Sequence, residues 1–331
     1  MKIGLTFDLK STGPKTPGIH DDADEEFDSP QTIESIANVL HGLGHAVVFL
    51  GDGREFLEKV LTEKPDFVFN FAEGRGVSRS REARVPAVLE MLGIPFTGSD
   101  PFTMAATLDK DCAKKLVAHA DVAVPTSYAL DPAANSSSIP IDQLRFPLVV
   151  KPAWEGSSKG IRNRCFVKDP EELPGVIDSL RRSARQTILL EEYIAGDEVT
   201  VGLIGNAPPS ILGMMRIIPN TPSDHFIYSL EIKRDFRKLV TYQCPPPLTA
   251  TTLDAIAASA QTVFRTLACR DVARIDFRIR DGVPYFLEVN PLPGLHPADS
   301  DLVIMAGLVG WSYEKLVSSI VQAAMKRCGL S

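Results

Sequence analysis

No two cysteines in this 331-residue chain are spaced C-x-x-C. The five (Cys112, Cys165, Cys244, Cys269, Cys328) are odd in number and scattered, which argues against a disulfide framework or a cysteine zinc site and predicts reduced thiols in a cytoplasmic protein. The six histidines (His20, His41, His45, His119, His225, His296) show no metal-ligand spacing. G-x-x-x-x-G-K-[ST] is absent, which excludes a Walker A loop. There is no internal repeat and no low-complexity tract. The longest apolar stretch near the end, "LVIMAGLVGW", is too short to span a bilayer, and "MKIGLTFDLK" has no signal-peptide layout. A net charge of -7 argues against a general nucleic-acid or membrane binder.

What is present is ordinary for a soluble globular chain: 44% hydrophobic and 23% charged residues. The length predicts two or three domains. The first third alternates strands ("KIGLTF", "HAVVFLG", "DFVFNF", "IPFTGSD") with helices. One helix starts at Ser29-Pro30, with a cap and a proline at the first helical position, and "VPAVLEMLG" is another. This alternation predicts a parallel sheet wrapped by helices, with ligands at the carboxyl ends of its strands. A helix over 101–119 follows, then a polar connector, "DPAANSSSIPIDQL". From "FPLVVKPA" onward strands dominate, interrupted by helices near 171–183 and 253–267 and closed by an apolar helix, "YEKLVSSIVQAAMKRC".

The segment "VVKPAWEGSSKGI" ends an apolar strand in Lys151 and opens into a glycine-serine loop. Glycines let the backbone fold tightly against an anion, and its N–H groups with the Ser157 and Ser158 hydroxyls can cradle phosphates. A lysine at the end of such a strand is costly without an anionic partner. The plainer reading is a solvent loop. In "LLEEYIAGDEVTV", Glu191 is placed to accept from an adenine amino group and Glu198 from ribose hydroxyls. Alone, both would read as solvated strand ends. Trp154 reads as packing.

The stretch "ARIDFRIRDGVPYFLEVNP" reads as a hairpin whose acceptors Asp276, Glu288 and Asn290 lie among apolar residues. Two carboxylates about 4 Å apart repel by about 4 kcal/mol at a dielectric near 20. A Mg²⁺ ion turns that repulsion into a site, and it prefers to share its shell with phosphates. A two-residue turn at Asp281-Gly282 sets Asp276 on the wrong face. A three-residue turn, or an equivalent bulge, sets Asp276 opposite Glu288 and Arg274 opposite Asn290. Arg274 then stands beside the metals to steady a charged reacting group. The alternative is a solvated polar face.

Taken in order, "LDK" (Lys110), "VVKPAWEGSSKGI", "LLEEYIAGDEVTVGLIGN", "EIKRDFRKLVTYQCP", "ARIDF" and "LEVNPLPGL" resemble an ATP-grasp ligase of the D-alanine–D-alanine ligase type. The resemblance covers nearly the whole chain, including "LGIPFTGSDPFTMAATLDK". It implies an open parallel-sheet α/β domain (1–97) followed by a two-lobed α+β ATP-grasp fold (98–190 and 191–331). It implies that ATP phosphorylates a carboxylate and that an amine attacks the acyl phosphate, giving an amide, ADP and phosphate. It assigns Lys110, Lys151 and Lys233 to phosphates and Ser157 and Ser158 to the phosphate loop. Glu191, Glu192, the Ile194 backbone and Glu198 go to adenosine, and Asp276, Glu288 and Asn290 to two Mg²⁺ ions, for which Mn²⁺ can substitute. Arg274 and the Gly294 backbone face the tetrahedral intermediate. A homodimer is implied as well.

The departures fall at the amino-acid pockets. The N-terminal catalytic glutamate of the family is matched loosely by Glu26 or Asp28, its "HG" by Glu73-Gly74, its mobile-loop tyrosine by Arg234, and its acceptor-binding serine-leucine pair by Ser300-Asp301. The nucleotide residues are retained while the substrate contacts change. The expectation is therefore a carboxylate–amine ligase acting on amino acids or related metabolites, with true D-alanine–D-alanine ligation or a catalytically silent ATP-binding protein as alternatives. Arg79, Arg81 and Arg84 read as a solvated face, with a substrate carboxylate as the other option. His225 and His296 fall in expected active-site loops. The polar segment "IIPNTPSDHFIYSLEIKRDF" is expected to close over the acyl phosphate and exclude water.

Overall fold

Strands β1 (Lys2–Thr6), β2 (Ala46–Gly51) and β3 (Phe67–Phe69) form a parallel sheet in the order β2-β1-β3. The structure is a computed structural model that describes residues 1–11, 21–134, 139–183, 186–221 and 225–330. His20 and parts of the connector and of the closing segment lie outside the described residues. Helix α1 (Pro30–Gly42) begins as expected: Ser29 caps it by accepting from the Thr32 amide, and Pro30 sits in the first turn. Helices α2 (Gly53–Glu63) and α3 (Arg84–Leu92) complete this layer.

The expected fourth strand, "IPFTGSD", is a correction. Phe96 pairs with Val68 in a single parallel bridge, and at Gly98 the backbone turns away with φ +88°. The single helix expected over 101–119 is two, α4 (Pro101–Leu108) and α5 (Lys110–Ala118). Asp109 breaks it because its backbone is extended and its carboxylate accepts from the amides of Asp111 and Cys112, starting a new helix.

Strands β4 (Ser127–Leu130), β5 (Leu148–Pro152), β6 (Phe166–Val167) and β7 (Ile188–Glu192) make an antiparallel sheet in the order β4-β7-β5-β6. Helix α6 (Leu173–Ser183) buries Leu173, Ile177 and Leu180 against it. A second antiparallel sheet runs β10-β9-β8-β11-β12. Its members are β8 (Asp197–Ile204), β9 (Ser210–Pro219), β10 (Val240–Gln243), β11 (Val272–Arg280) and β12 (Val283–Asn290). Two short helices, α7 (Leu230–Arg234) and α8 (Phe236–Leu239), precede β10, and α9 (Ala250–Thr266) follows it.

Packing crosses the sequence order. Ala113 and Val117 of α5 share a core with Ile256, Ala260 and Val263 of α9 and with Ile275 and Phe277 of β11. Helices α10 (Asp301–Leu308) and α11 (Tyr313–Arg327) pack Leu302, Leu316 and Ile320 with Ile3, Leu5 and Ile36 of the N-terminal layer. The last helices therefore tie the two ends of the chain together, and the loops of all three sheets meet around one cleft.

Candidate active site

The β11–β12 hairpin settles its own register. Arg280 pairs with Val283 around a two-residue turn, with Asp281 at φ 52° and Gly282 at φ 78°. Two positive φ values are the mark of the tight hairpin turn that matches strand twist. The three-residue turn is thus corrected to its equivalent. Leu287 is the extra residue of a bulge between Asp276 and Phe277, and the bulge brings Asp276 opposite Glu288 and Arg274 opposite Asn290.

Charge on this face is tightly balanced. Arg274 Nη2 lies 2.9 Å from Asp276 Oδ2, 4.0 Å from Glu288 Oε1, and its Nη1 is 3.6 Å from Asp301. Thr200 and the Asn290 amide nitrogen also donate to Asp276. Lys110 Nζ approaches Glu288 to 3.3 Å and donates to the Glu155 carbonyl. Burial pushes the Asp276 carboxyl up, with Glu288 adding to it and Arg274 opposing. Burial would raise Glu288 too, but Lys110, Lys151 and Arg274 hold it down at about 2. Two facing carboxylates and an amide oxygen are hard donors. No cluster of three His, Cys, Asp or Glu fit for a metal occurs among the described residues. The set therefore fits Mg²⁺ completed by phosphate oxygens, not an all-protein cage.

Between β5 and β6 the loop bends through Ser157 (φ 51°), Ser158 (φ 56°) and Gly160 (φ 75°). Left-handed backbone at two serines is strained, and it turns successive amides toward anions. Carboxylates already use two of them: the Gly156 amide donates to Glu26 and the Gly160 amide to Asp22. Lys151 and Glu191 are buried partners at 2.7 Å. The second oxygen of Glu191 goes to Lys114 at 2.8 Å. Burial opposes ionisation of Glu191, yet the two lysines hold its carboxyl below the usual range. Glu191 is thus a carboxylate held between two lysines. Burial likewise lowers Lys114 to about 8. Sequence reasoning passed over Lys114, although its spacing four residues after Lys110 on α5 was the available signal.

Two cavities flank these groups. The smaller, of about 100 Å³, is lined by Lys151, Glu191, Ile194, Glu198, Ile217 and Leu287, an apolar slot with acids at its rim. Burial pushes Glu198 up to about 7 even though Arg278 lies 3.7 Å away. Glu192 also lines the slot, but its side chain turns to Arg280 at 2.7 Å. The larger cavity, of about 330 Å³, takes in Lys110, Ser157, Lys233, Arg274, Asn290 and Gly294. Burial lowers the Lys233 ammonium, while Asp301 pulls it back up. Ser300 accepts from the His296 amide at 2.8 Å, and a Cβ on Gly294 would come 2.9 Å from that hydroxyl.

The departures from the family pattern converge on the larger cavity: Glu26, Asp28, Glu73, Arg234, Ser300 and Asp301 all line it. Arg81 corrects the reading of "SRSREAR" as a solvated face. It is 1% exposed and pairs with Glu26 at 2.6 Å and Glu155 at 3.6 Å, while Arg79 and Arg84 stay outside. Glu155 was another omission. Its neighbours Arg81 and Lys159 explain it; Lys159 lies only four residues on, but the contact with Arg81 is not visible in a linear pattern. Arg234, at the end of α7, grips Glu25 and Asp21 at 2.8 Å each. His296 lines the cavity beside Asp299, whereas His225 stacks on Phe166. Trp154 donates to Asp109 at 3.2 Å, which agrees with a packing role.

A family model described as the D-ala D-ala ligase C-terminus matches residues 116–322. A D-alanine–D-alanine ligase from Aquifex aeolicus is 32% identical over 88% of this chain and 94% of its own. The chain belongs to the D-alanine–D-alanine ligase family. An uncharacterized protein, y4sG, from Sinorhizobium fredii is also 32% identical, over 89% of this chain and 87% of its own. A crystal structure of the Bacillus anthracis D-alanine–D-alanine ligase complexed with ATP superposes with a TM-score of 0.76 at 23% identity, covering 99% of this chain and 98% of that one. At that identity the likeness speaks for the fold: an α/β domain followed by an ATP-grasp pair of lobes. As a family member the chain is an ATP-grasp ligase that uses ATP and Mg²⁺.

Proposed function

We propose that this chain joins a small carboxylate to an amine at the expense of ATP, and that its amino-acid partners differ from those of the D-alanine ligases. The observation that carries this reading is the meeting of the Asp276–Glu288–Asn290 face with the Ser157–Ser158 loop and the Lys110, Lys151 and Lys233 side chains across adjoining cavities. Mg²⁺, when bound at the hairpin, neutralises charge on the transferring phosphoryl oxygens.

In this reading the chain's own groups divide the work. Lys110, Lys151 and Lys233 with the Ser157–Ser158 loop hold phosphate oxygens. The apolar slot, the Ile194 backbone and Glu198 hold adenosine. Glu191 keeps Lys114 and Lys151 in place. Arg274 and the Gly294 amide stabilise charge as the amine attacks the acyl phosphate. The changes at Glu26, Asp28, Glu73, Arg234, Ser300 and Asp301, all on the larger cavity, support different amino-acid partners. D-alanine–D-alanine ligation is the second reading, favoured by the identity to the ligases of that name.

Units at 1–97, 98–190 and 191–331 rest on the resemblance; the sheets support three units, but β7 (Ile188–Glu192) crosses the second boundary and belongs whole to the middle one. A homodimer rests on the resemblance and is open to sedimentation. Five free cysteines suit a reducing, cytoplasmic compartment. The function is tested by a phosphate-release screen of amine and carboxylate pairs with mass detection of the product. Release that requires both partners and yields their amide is expected. Firm ATP binding with no release for any pair would overturn it.

A further inference from the structure

Asp301, the first residue of α10, is buried and lines both cavities. Among the described residues its carboxylate has two partners. The Tyr242 hydroxyl donates to it at 3.3 Å, and Arg274 Nη1 lies 3.6 Å away, beyond hydrogen-bond reach. Tyr242 has a single hydroxyl hydrogen. With that hydrogen on Asp301, the Tyr228 hydroxyl is the donor across the 3.0 Å that separates it from Tyr242. Tyr228 lines both cavities too. The hydroxyl hydrogens of this wall therefore run toward Asp301, whose remaining lone pairs face the cavity. Among the described residues, no cation lining the larger cavity is left over for a substrate anion. Arg274 holds Asp276 and Asp301, Lys110 holds Glu288, and Arg234 holds Asp21 and Glu25. The Lys10 amide donates to the Asp28 carbonyl. Burial lowers the Lys233 ammonium, and of its neighbours Asp301 does most to restore it.

We propose that the Asp301 carboxylate fills the place beside Arg274 and Lys233 that a carboxylate on the attacking amine would need, so that the acceptor substrate is a primary amine with no free carboxylate next to its amino group. In the ligase reading Arg274 meets the charge that develops as the amine attacks, so the amine arrives beside it. The carboxylate of an α-amino acid, one carbon from that nitrogen, would enter with it. It would meet Asp301 and find no cation of its own. Like charges set together in this way reject a partner as effectively as good contacts select one. A cationic amine meets the reverse: it brings only donors to the lone pairs that Asp301 has spare. The contact seats the amine and leaves the bonds made and broken as they stand in the ligase reaction. The inference rests on the ligase reading and names the class of its second substrate.

The test supplies the full chain with ATP, Mg²⁺ and D- or L-amino acids as carboxylate donors, and compares alanine with alaninamide and ethylamine as acceptors, the products being told apart by mass. Alaninamide is expected to exceed alanine in kcat/KM by about a hundredfold or more. Asp301→Asn keeps the shape and drops the charge, and is expected to cut that preference about tenfold or more. A purely structural role would slow both acceptors together and leave the ratio alone. If Asp301→Asn does not fold, Asp301→Ser takes its place. Calorimetric titration of alaninamide onto the protein with Mg²⁺ and a non-hydrolysable ATP analogue follows the seat apart from turnover, and binding that the variant weakens is expected. Alanine used as well as alaninamide, a ratio the variant does not move, or alaninamide binding the variant does not weaken would overturn the inference, and phosphate release in the same assays would leave the ligase standing. Alaninamide binding that the variant weakens, without phosphate release for any pair, would keep the seat and remove the ligase.

Discussion

Arg81 Nη2 lies 2.6 Å from Glu26 Oε1, and both side chains are withdrawn from solvent. Breaking such a pair from one side strands a buried charge, at a cost of about 3–5 kcal/mol. Arg81→Met is therefore expected to lower the urea midpoint sharply. Arg81→Met with Glu26→Gln is expected to recover much of that loss, because the stranded charge goes too. A double variant as unstable as the single one would show that Arg81 acts through packing alone.

Lys233 faces both cavities, and no ion pair within 4.0 Å holds it among the described residues. Its charge is free to meet one that develops during reaction. Lys233→Ala is expected to reduce kcat by about a hundredfold or more while the thermal midpoint stays put. Unchanged turnover in steady-state kinetics would take Lys233 out of the mechanism.

The α7 end is latched to the N-terminal segment by Arg234 with Asp21 and Glu25. These groups are partly exposed, so the contact adds only about 0–1 kcal/mol to stability. Its expected effect is on water exclusion. Arg234→Ala is expected to leave melting unchanged and to release more phosphate than amide, a ratio measurable by mass detection. A ratio that stays at one would mean the latch does not guard the intermediate.

The raised carboxyls fix a pH trend. Glu82 and Glu198 move from 4.5 to about 7 and Asp28 from 3.8 to about 8. The folded chain thus binds more protons than the unfolded chain between roughly pH 4 and 8, and loses stability as pH rises through that window. Glu288, held at about 2, acts oppositely, and its contribution disappears as pH falls below 4.5. The ligand-free chain is expected to melt at a higher temperature near pH 5 than at pH 8. A midpoint that rises steadily to pH 8 would contradict these assignments.

The hairpin was legible because its period and its chemistry disagreed. Asp276 and Glu288 share a face only if an extra residue is inserted, and Leu287 is that residue. The glycine-serine loop and Lys151 were legible as local patterns. Arg81 and Glu191 were not, because their partners lie 55, 77 and 40 residues away in the chain and come together only when the sheets pack. The break at Asp109 was missed for a different reason. Two amphipathic helices in sequence read as one unless the intervening aspartate is recognised as a cap. The burial of Glu82 had no sequence signature, since an exposed glutamate and a buried one look alike in a string.

The central claim is that a substrate carboxylate attacks ATP held by the hairpin and the loop. It is tested most directly by labelling that carboxylate with ¹⁸O, using whichever substrate pair turns over, and reading the released phosphate by mass spectrometry. One carboxylate oxygen is expected in each phosphate, and Glu288→Gln is expected to suppress release. Phosphate whose fourth oxygen comes from water and not from the carboxylate would contradict the account.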